Sequence, residues 1–284
     1  MAPLIIESDF LTFGIRLYRA IRGGADRLEL CSNLGLGGGT TPSMGLFKAV
    51  KRVSKDVPVM VMIRPRTGDF VYSTLEMDVM LDDIRTFKQA GANGFVFGVL
   101  KTEGRVDLDR TFILAAQAVP SEVCFHRAFD MTRDPSEGMQ KDPRMLLFLT
   151  QTTALRDLKS IPGITRILTS GQENKAPSAI PMIQKLLREA KRVLTILPGS
   201  GINPDTVGPL LDSLGSYGVK EIHLSAGEWV SGEMSFRRND MGMGIGGAGE
   251  WGVWRTKEET VRAVRKIADD FSEARRAKAA SQSA

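Results

Sequence analysis

Two histidines and the carboxylates near them are the side chains best suited to acid–base chemistry. His126 lies in EVCFHRAFDMTRD with Asp130 four positions further on, and His223 lies in EIHLS. Histidine titrates near neutral pH and a carboxylate can orient its ring, so His126 with Asp130 is a candidate acid–base pair. A hydrogen-bonded histidine in the wall of a sheet is the competing interpretation of each. The candidate catalytic residues are Glu29, His126, Asp130 and His223.

Arginines and glycine-rich turns form a second candidate site, suited to anions. Arg64 and Arg66 flank a proline in VMIRPRTGDF, and guanidinium groups bind carboxylate or phosphate through paired hydrogen bonds. In LPGSGINP, glycines let the backbone approach a ligand, and the following helix offers free N–H groups. The alternatives are a surface ion pair of Arg66 with Asp69 and a turn that merely needs glycine. The candidate anion-binding residues are Arg64, Arg66, Asp69, Arg127, Ser170, Gly199, Ser200, Gly201 and Ser225.

Cysteine is the soft metal ligand of this sequence. Cys31 ends a β-type run beside GLGGGTT, so we expect it to be partly exposed and to be the metal-binding residue. Cu(I) prefers thiolates close together, but Cys124 is expected three strands away and is typical of a small apolar filler.

The two histidines would need a third ligand to hold zinc, and Glu29 would complete such a set without support from motif spacing. The run CSNLGLGGGTTPS lacks the lysine of a nucleotide P-loop, so we expect no nucleotide cofactor.

The elements that must position these residues alternate between β-type runs and helical periodicities. The predicted strands are Leu4–Glu7, Arg27–Cys31, Val57–Arg64, Gly94–Leu100, Val123–Arg127, Arg166–Thr169, Val193–Leu197 and Glu221–Ser225. Strand–helix alternation indicates a parallel sheet, and eight such units predict a single-domain α/β fold, the (β/α)8 TIM-type barrel, over residues 1–272. A doubly wound sheet is the rival, but the glycine-rich turn expected after its first strand is replaced by ESD. Residues 273–284 lose apolar periodicity and are predicted to be a frayed tail.

Composition and charge exclude several functional classes. The net charge is +5, but acids and bases are interspersed, which indicates solvated helix faces and no nucleic-acid partner. No stretch of 18 apolar residues occurs, so we expect no membrane span. MAPLIIESDF has no basic leader and the two cysteines suit a reducing compartment, so a cytoplasmic location is expected.

Several long motifs resemble one family. RGGADRLELCSNL, PVMVMIRPRTGDFVYS, GFVFGVL, FHRAFDMTRDP, RILTSG and RRND…MG are similar to the CutC copper homeostasis family, in the family's order and from about residue 4 to 271. The resemblance implies a (β/α)8 barrel, a cytoplasmic homodimer and Cu(I) handling by cysteines ending strands 1 and 2. Cys31 matches the second cysteine, whereas IIESDFLTF has none to match the first.

Two functions follow as hypotheses. The first is a copper homeostasis protein that binds Cu(I) through Cys31. The second is an enzyme acting on a small anionic, phosphate- or carboxylate-bearing metabolite, with His126 as acid–base residue, Asp130 as its orienter and arginines as an anion clamp. An interaction scaffold is a third possibility, but it does not explain the polar residues gathered at strand ends.

Overall fold

Eight parallel strands form one sheet that curls into a barrel. The computed structural model describes residues 3–10, 19–133, 153–191, 193–238 and 241–281. The barrel strands are β1 (Ile5–Phe10), β2 (Arg27–Leu30), β3 (Val59–Met62), β4 (Gly94–Phe97), β5 (Glu122–Phe125), β6 (Ile164–Thr169), β7 (Thr195–Pro198) and β8 (Glu221–Leu224). Hydrogen-bonded neighbours run in the order β7-β6-β5-β4-β3-β2-β1-β8, and β7 packs beside β8. The predicted (β/α)8 barrel is therefore confirmed, and the doubly wound alternative is excluded.

Helices follow the strands and cover the outside of the barrel. They are α1 (Arg19–Arg22), α2 (Met44–Ser54), α3 (Thr74–Gln89), α4 (Leu108–Ala118), α5 (Thr153–Lys159), α6 (Ile180–Ala190), α7 (Pro204–Leu214) and α8 (Glu258–Ser281). α3 begins with a capping box: Ser73 Oγ accepts from the Glu76 N–H, and Glu76 Oε2 accepts from the Ser73 N–H. Apolar helix faces and the outward faces of the strands form the main hydrophobic core.

The inside of the barrel holds two layers of different chemistry. A smaller apolar cluster consists of Cys31, Met60, Met62, Val96, Cys124, Leu168 and Leu197. The other layer is an ion-pair network in which Arg27 contacts Glu7 and Glu221, and Arg166 contacts Glu221. Because β1 separates β2 from β8, the contact of Arg27 with Glu221 must cross the barrel interior. Such a buried network needs every charge compensated.

Two further strands close one side of the barrel mouth. β9 (Gly227–Ser231) and β10 (Gly252–Thr256) form an antiparallel pair after β8, with the rings of Trp229 and Trp254 in edge contact at 5.4 Å between centroids. Gly35, in the loop after β2, packs against Trp229, where an added Cβ would come within 2.6 Å of the indole. The long loop and the strand pair therefore support each other.

The chain's end corrects one prediction. Residues 273–281 continue α8, so the frayed tail predicted for 273–284 is wrong over that span, and residues 282–284 lie outside the described part. Alanine, arginine and lysine have high helix propensity, which sustains a helix without apolar periodicity. Over the described residues, none of the helices has the length and apolar character needed to cross a membrane.

Candidate functional site

A cavity of about 900 Å³ opens at the carboxyl ends of the barrel strands, where barrel enzymes carry their chemistry. Its lining includes ten of the predicted site residues: Glu29, Arg64, Asp69, His126, Arg127, Asp130, Ser200, Gly201, His223 and Ser225. Four others lie outside the lining: Cys31, Arg66, Ser170 and Gly199. Glu29, Arg64 and His126, which sequence analysis places at strand ends, therefore line one cavity.

His126 follows β5 and caps a short 3-10 helix at Arg127–Met131. Its Nδ1 accepts the Ala128 N–H at 3.2 Å, so the ring proton of the neutral form is on Nε2. Nε2 is buried and has no hydrogen-bond partner among the described residues. Burial, with help from the Arg64 cation, lowers the pKa of His126 to about 3. At neutral pH this side chain is therefore an uncharged N–H donor, whereas sequence analysis predicts a group that titrates near neutrality.

Arg64 is a buried cation held by neutral groups. Its guanidinium donates to the carbonyl oxygens of Gly37, Gly39 and Gly68 at 2.9, 3.0 and 3.0 Å and stacks 4.9 Å from the Phe70 ring centroid. Its Nε has no hydrogen-bond partner within the described ranges. Three carbonyls orient a positive charge without cancelling it, so Arg64 is prepared for an anion in the cavity.

Arg66 does not join Arg64 in the cavity. Its guanidinium forms ion pairs with Glu76 at 2.6 Å and Asp69 at 3.0 Å, and it donates to the Val71 carbonyl at 2.9 Å. The clamp of two arginines predicted from RPR is therefore wrong, and the surface ion pair is the correct alternative for Arg66. Proline prevents the strand alternation from continuing to Arg66, so the two arginines diverge.

Asp130 does not orient His126. Its carboxylate accepts from the Arg127 Nε at 2.9 Å and from the Ser170 N–H and Oγ, both at 2.9 Å. Arg127 also donates to Ser170 Oγ at 2.8 Å. These three residues tie the 3-10 helix to the loop after β6, so the predicted His126–Asp130 pair is replaced by a structural one.

The glycine-rich loop after β7 has less anion-binding capacity than its sequence predicts. Asn203 Oδ1 already accepts the first free N–H groups of α7, those of Asp205 and Thr206, at 2.9 and 3.1 Å. Ser200 Oγ donates to the Asn174 carbonyl at 2.8 Å. Gly199 is needed for packing, because a Cβ there would lie 3.3 Å from His223. Ser225 lines the cavity beyond β8.

Three side chains form what we call the carboxylate–histidine group: Glu7, Glu29 and His223. They stand on the adjacent strands β1, β2 and β8, and one potential ligand atom of each lies within 4.8 Å of the others. His223 Nδ1 is 3.0 Å from Glu7 Oε1, while Arg27 pairs with Glu7 Oε2. Burial raises the pKa of Glu7, but the Arg27 cation and the His223 hydrogen bond outweigh it and lower this pKa to about 2.

Glu7 is not among the residues predicted for the site. The predicted first strand ends at Glu7, whereas β1 continues to Phe10, so Glu7 lies inside the barrel in register with Arg27 and His223. A single charge in the apolar run LIIE is the signal that could have found it. Sequence analysis considers Glu29 as a third ligand beside His126 and His223; in the structure Glu29 and His223 converge with Glu7 instead.

Cys31 is fully buried, so its predicted partial exposure is wrong. Its Sγ and the Met62 methyl lie 3.0 and 3.7 Å from the position of a Cβ added to Gly39, so the glycine-rich loop covers the thiol. Cys31, Met60, Met62 and Cys124 belong to the same interior cluster and are called the sulfur group here. Cys31 and Cys124 share this cluster although their strands are three apart, because inward side chains converge in a small barrel.

Comparisons with known proteins identify the family. The CutC family model matches residues 14–228. A CutC family protein from Chromobacterium violaceum is 39% identical, covering 88% of this chain and 92% of its own. A mouse protein named copper homeostasis protein cutC homolog is 41% identical, covering 88% and 85%. A CutC crystal structure from Streptococcus agalactiae aligns with a TM-score of 0.66 and 29% identity, over 78% of this chain and 98% of that one. This chain belongs to the CutC family.

Proposed function

We propose that this protein acts in copper homeostasis, the role in the name of its mouse relative, by binding Cu(I) at the sulfur group beneath the mouth cavity. The observation that carries the proposal is that soft donors gather there: Cys31 and Met62 approach each other under Gly39. Cu(I) prefers such thiolate and thioether ligands over oxygen. The reducing cytoplasm, which keeps thiols free, is the proposed location, and the family resemblance supports a homodimer.

Access to the proposed copper site is through Met62. This side chain belongs to the sulfur group and also lines the mouth cavity, so it connects the cavity with the buried thiol. Methionine is flexible, and its thioether can follow an ion between two positions. Cu(I) entering the cavity would contact Met62 first and then Cys31.

Cys31 is the proposed thiolate ligand, with methionine sulfur as its companion. Burial raises the pKa of the Cys124 thiol well above its ordinary value, so Cys124 remains protonated at neutral pH. We assign Cys31 as the ligand because it lies under Gly39 beside Met62, which lines the cavity.

A competition titration against a Cu(I) chelator tests the copper proposal. Cys31→Ser should abolish Cu(I) binding, and Met62→Leu should weaken it with little change in volume. Cys124→Ser is the matched control, because it removes the other buried thiol of the same cluster, and it should bind as wild type does. Tight binding that survives Cys31→Ser would refute the assignment.

A second candidate function is an enzyme acting on a small anionic metabolite. The observation that favours it is Arg64, a cation 4% exposed whose partners are neutral carbonyls, next to the uncharged N–H donor His126. Arg64 would hold the substrate's carboxylate or phosphate, and His126 Nε2 would donate to a neighbouring oxygen. Preorganised donors of this kind stabilise negative charge that develops during a reaction.

Thermal unfolding in phosphate tests the second candidate. Phosphate at millimolar concentration should raise the Tm of the wild type, because a ligand of the folded state stabilises it by mass action. Arg64→Ala should lose most of this ligand-induced shift, whatever its Tm without phosphate. Arg66→Ala, which lies outside the cavity, should keep the full shift. Equal shifts in wild type and Arg64→Ala would exclude the anion pocket.

A further inference from the structure

We propose that the carboxylate–histidine group binds a divalent cation of the Mn²⁺ or Zn²⁺ class at the floor of the mouth cavity. This site differs from the proposed Cu(I) site in place and in donor chemistry. Its donors are two carboxylates and one imidazole, which suit hard or borderline cations and not Cu(I). It does not depend on the copper proposal.

The geometry of the group is that of a convergent ligand set. Glu7, Glu29 and His223 are all buried, and the structure brings one ligand atom of each within 4.8 Å of the other two. They come from three consecutive strands of the barrel, so the sheet fixes their backbones. In the register of β1 with β8, Glu7 is the direct partner of His223. Both Glu29 and His223 line the cavity, from which an ion would enter.

The charges around the group favour a cation. Two buried carboxylates repel each other unless positive charge lies nearby. Arg27 contacts Glu7 on Oε2, and its other contact is Glu221. Arg166 is likewise shared, between Glu221 and Glu122. The two guanidinium groups of this layer are thus shared among three carboxylates, those of Glu7, Glu221 and Glu122.

A second observation, independent of the acidic group, points to a ligand in this cavity. His126 lines the cavity, is only 5% exposed, and has an Nε2 without a hydrogen-bond partner in the described part of the chain. A buried donor left without an acceptor is costly, and an anion ligating the cation would supply the acceptor. Arg64, also in the lining, would share that anion. The cavity therefore offers ligands for the cation and hydrogen-bond donors for its anionic ligand.

Electron paramagnetic resonance of Mn²⁺ added to the whole protein tests the site directly. Wild type should bind a stoichiometric amount of Mn²⁺, which Zn²⁺ should displace. Glu29→Gln preserves the side-chain volume and should weaken binding by at least about tenfold. Asp69→Asn is the matched control, because it removes a carboxylate from the same cavity but outside the group, and it should bind as wild type does.

Several results would overturn the inference. It fails if wild type binds neither Mn²⁺ nor Zn²⁺ at millimolar concentration, or if Glu29→Gln binds as tightly as wild type. Should Glu29→Gln not fold, electron spin echo modulation of Mn²⁺ on wild type decides: coupling to an imidazole nitrogen is expected, and its absence overturns the site. Cys31→Ser should bind Mn²⁺ normally, so a failure of the copper proposal is distinguishable from a failure of this one.

Discussion

Acidification should destabilise the wild-type protein because His126 binds a proton in the unfolded chain at a higher pH than in the folded chain. The pKa is 6.5 for an ordinary histidine and about 3 in the folded chain, because burial and the Arg64 cation oppose the charged form. Between these values the unfolded chain binds the proton and the folded chain does not, so stability falls as pH falls. At about 1.4 kcal/mol per pH unit below 6.5, the loss between pH 7.5 and 4.5 is about 3 kcal/mol.

The assay is urea unfolding of wild type and His126→Asn at both pH values. Asparagine does not titrate, and its side-chain oxygen can accept the Ala128 N–H that Nδ1 accepts in wild type. Carboxylates also titrate in this range, but they do so in both proteins and cancel in the difference. The stability advantage of wild type over the variant should therefore shrink by about 3 kcal/mol on acidification. An unchanged difference would show that His126 is not held neutral.

Two further predictions compare matched variants by chemical denaturation. Gly39 (φ +84°) and Gly37 (φ +114°) both have left-handed backbones, so an alanine at either position should lower the free energy of unfolding by about 1–2 kcal/mol. At Gly39 the added Cβ would also lie 3.0 Å from Cys31 Sγ, so Gly39→Ala should be the less stable variant. Equal losses of stability would contradict the packing of this loop over Cys31. Arg27→Met leaves buried carboxylates uncompensated and should lower the free energy of unfolding by about 3–5 kcal/mol. Arg66 is half-exposed, so Arg66→Gln should lower it by at most about 1 kcal/mol. Similar losses of stability in the two variants would refute the interior network.

The fold could be predicted because its signals are local and repeated. The barrel strands are short segments rich in apolar residues, and their alternation with amphipathic helices specifies parallel neighbours. The capping box at Ser73 and the Asn203-Pro204 start of α7 are local hydrogen-bonding patterns that survive folding unchanged. The end of α8 was harder to predict, because helix propensity and apolar periodicity disagree there.

The candidate site was only partly predictable. A position at a strand end predicts which end of the barrel a side chain occupies, but it does not predict which other side chain it contacts. Glu29, Arg64 and His126 reach one cavity for that reason. What each side chain contacts depends on strands far apart in sequence: Glu7 meets His223 across 216 positions, and Asp130 turns to Ser170. The spacing of residues within a single strand cannot predict contacts between side chains of different strands.

The burial of the candidate site residues was the other quantity that could not be predicted from the sequence. A glycine-rich loop beside Cys31 suggests an open thiol, but Gly39 allows the loop to pack directly over it. In the same way, the depressed pKa of His126 arises from its enclosure and from Arg64, which a histidine near a strand end does not reveal.

X-ray absorption spectroscopy of the Cu(I)-loaded protein tests the central claim, that copper is bound by the sulfur group and not by the oxygen and nitrogen donors of the mouth. The copper-edge spectrum should show a first shell of sulfur atoms, from Cys31 and methionine. Cys31→Ser should lose that shell. A first shell of nitrogen and oxygen that persists in Cys31→Ser would contradict the account and place copper at the carboxylate–histidine group instead.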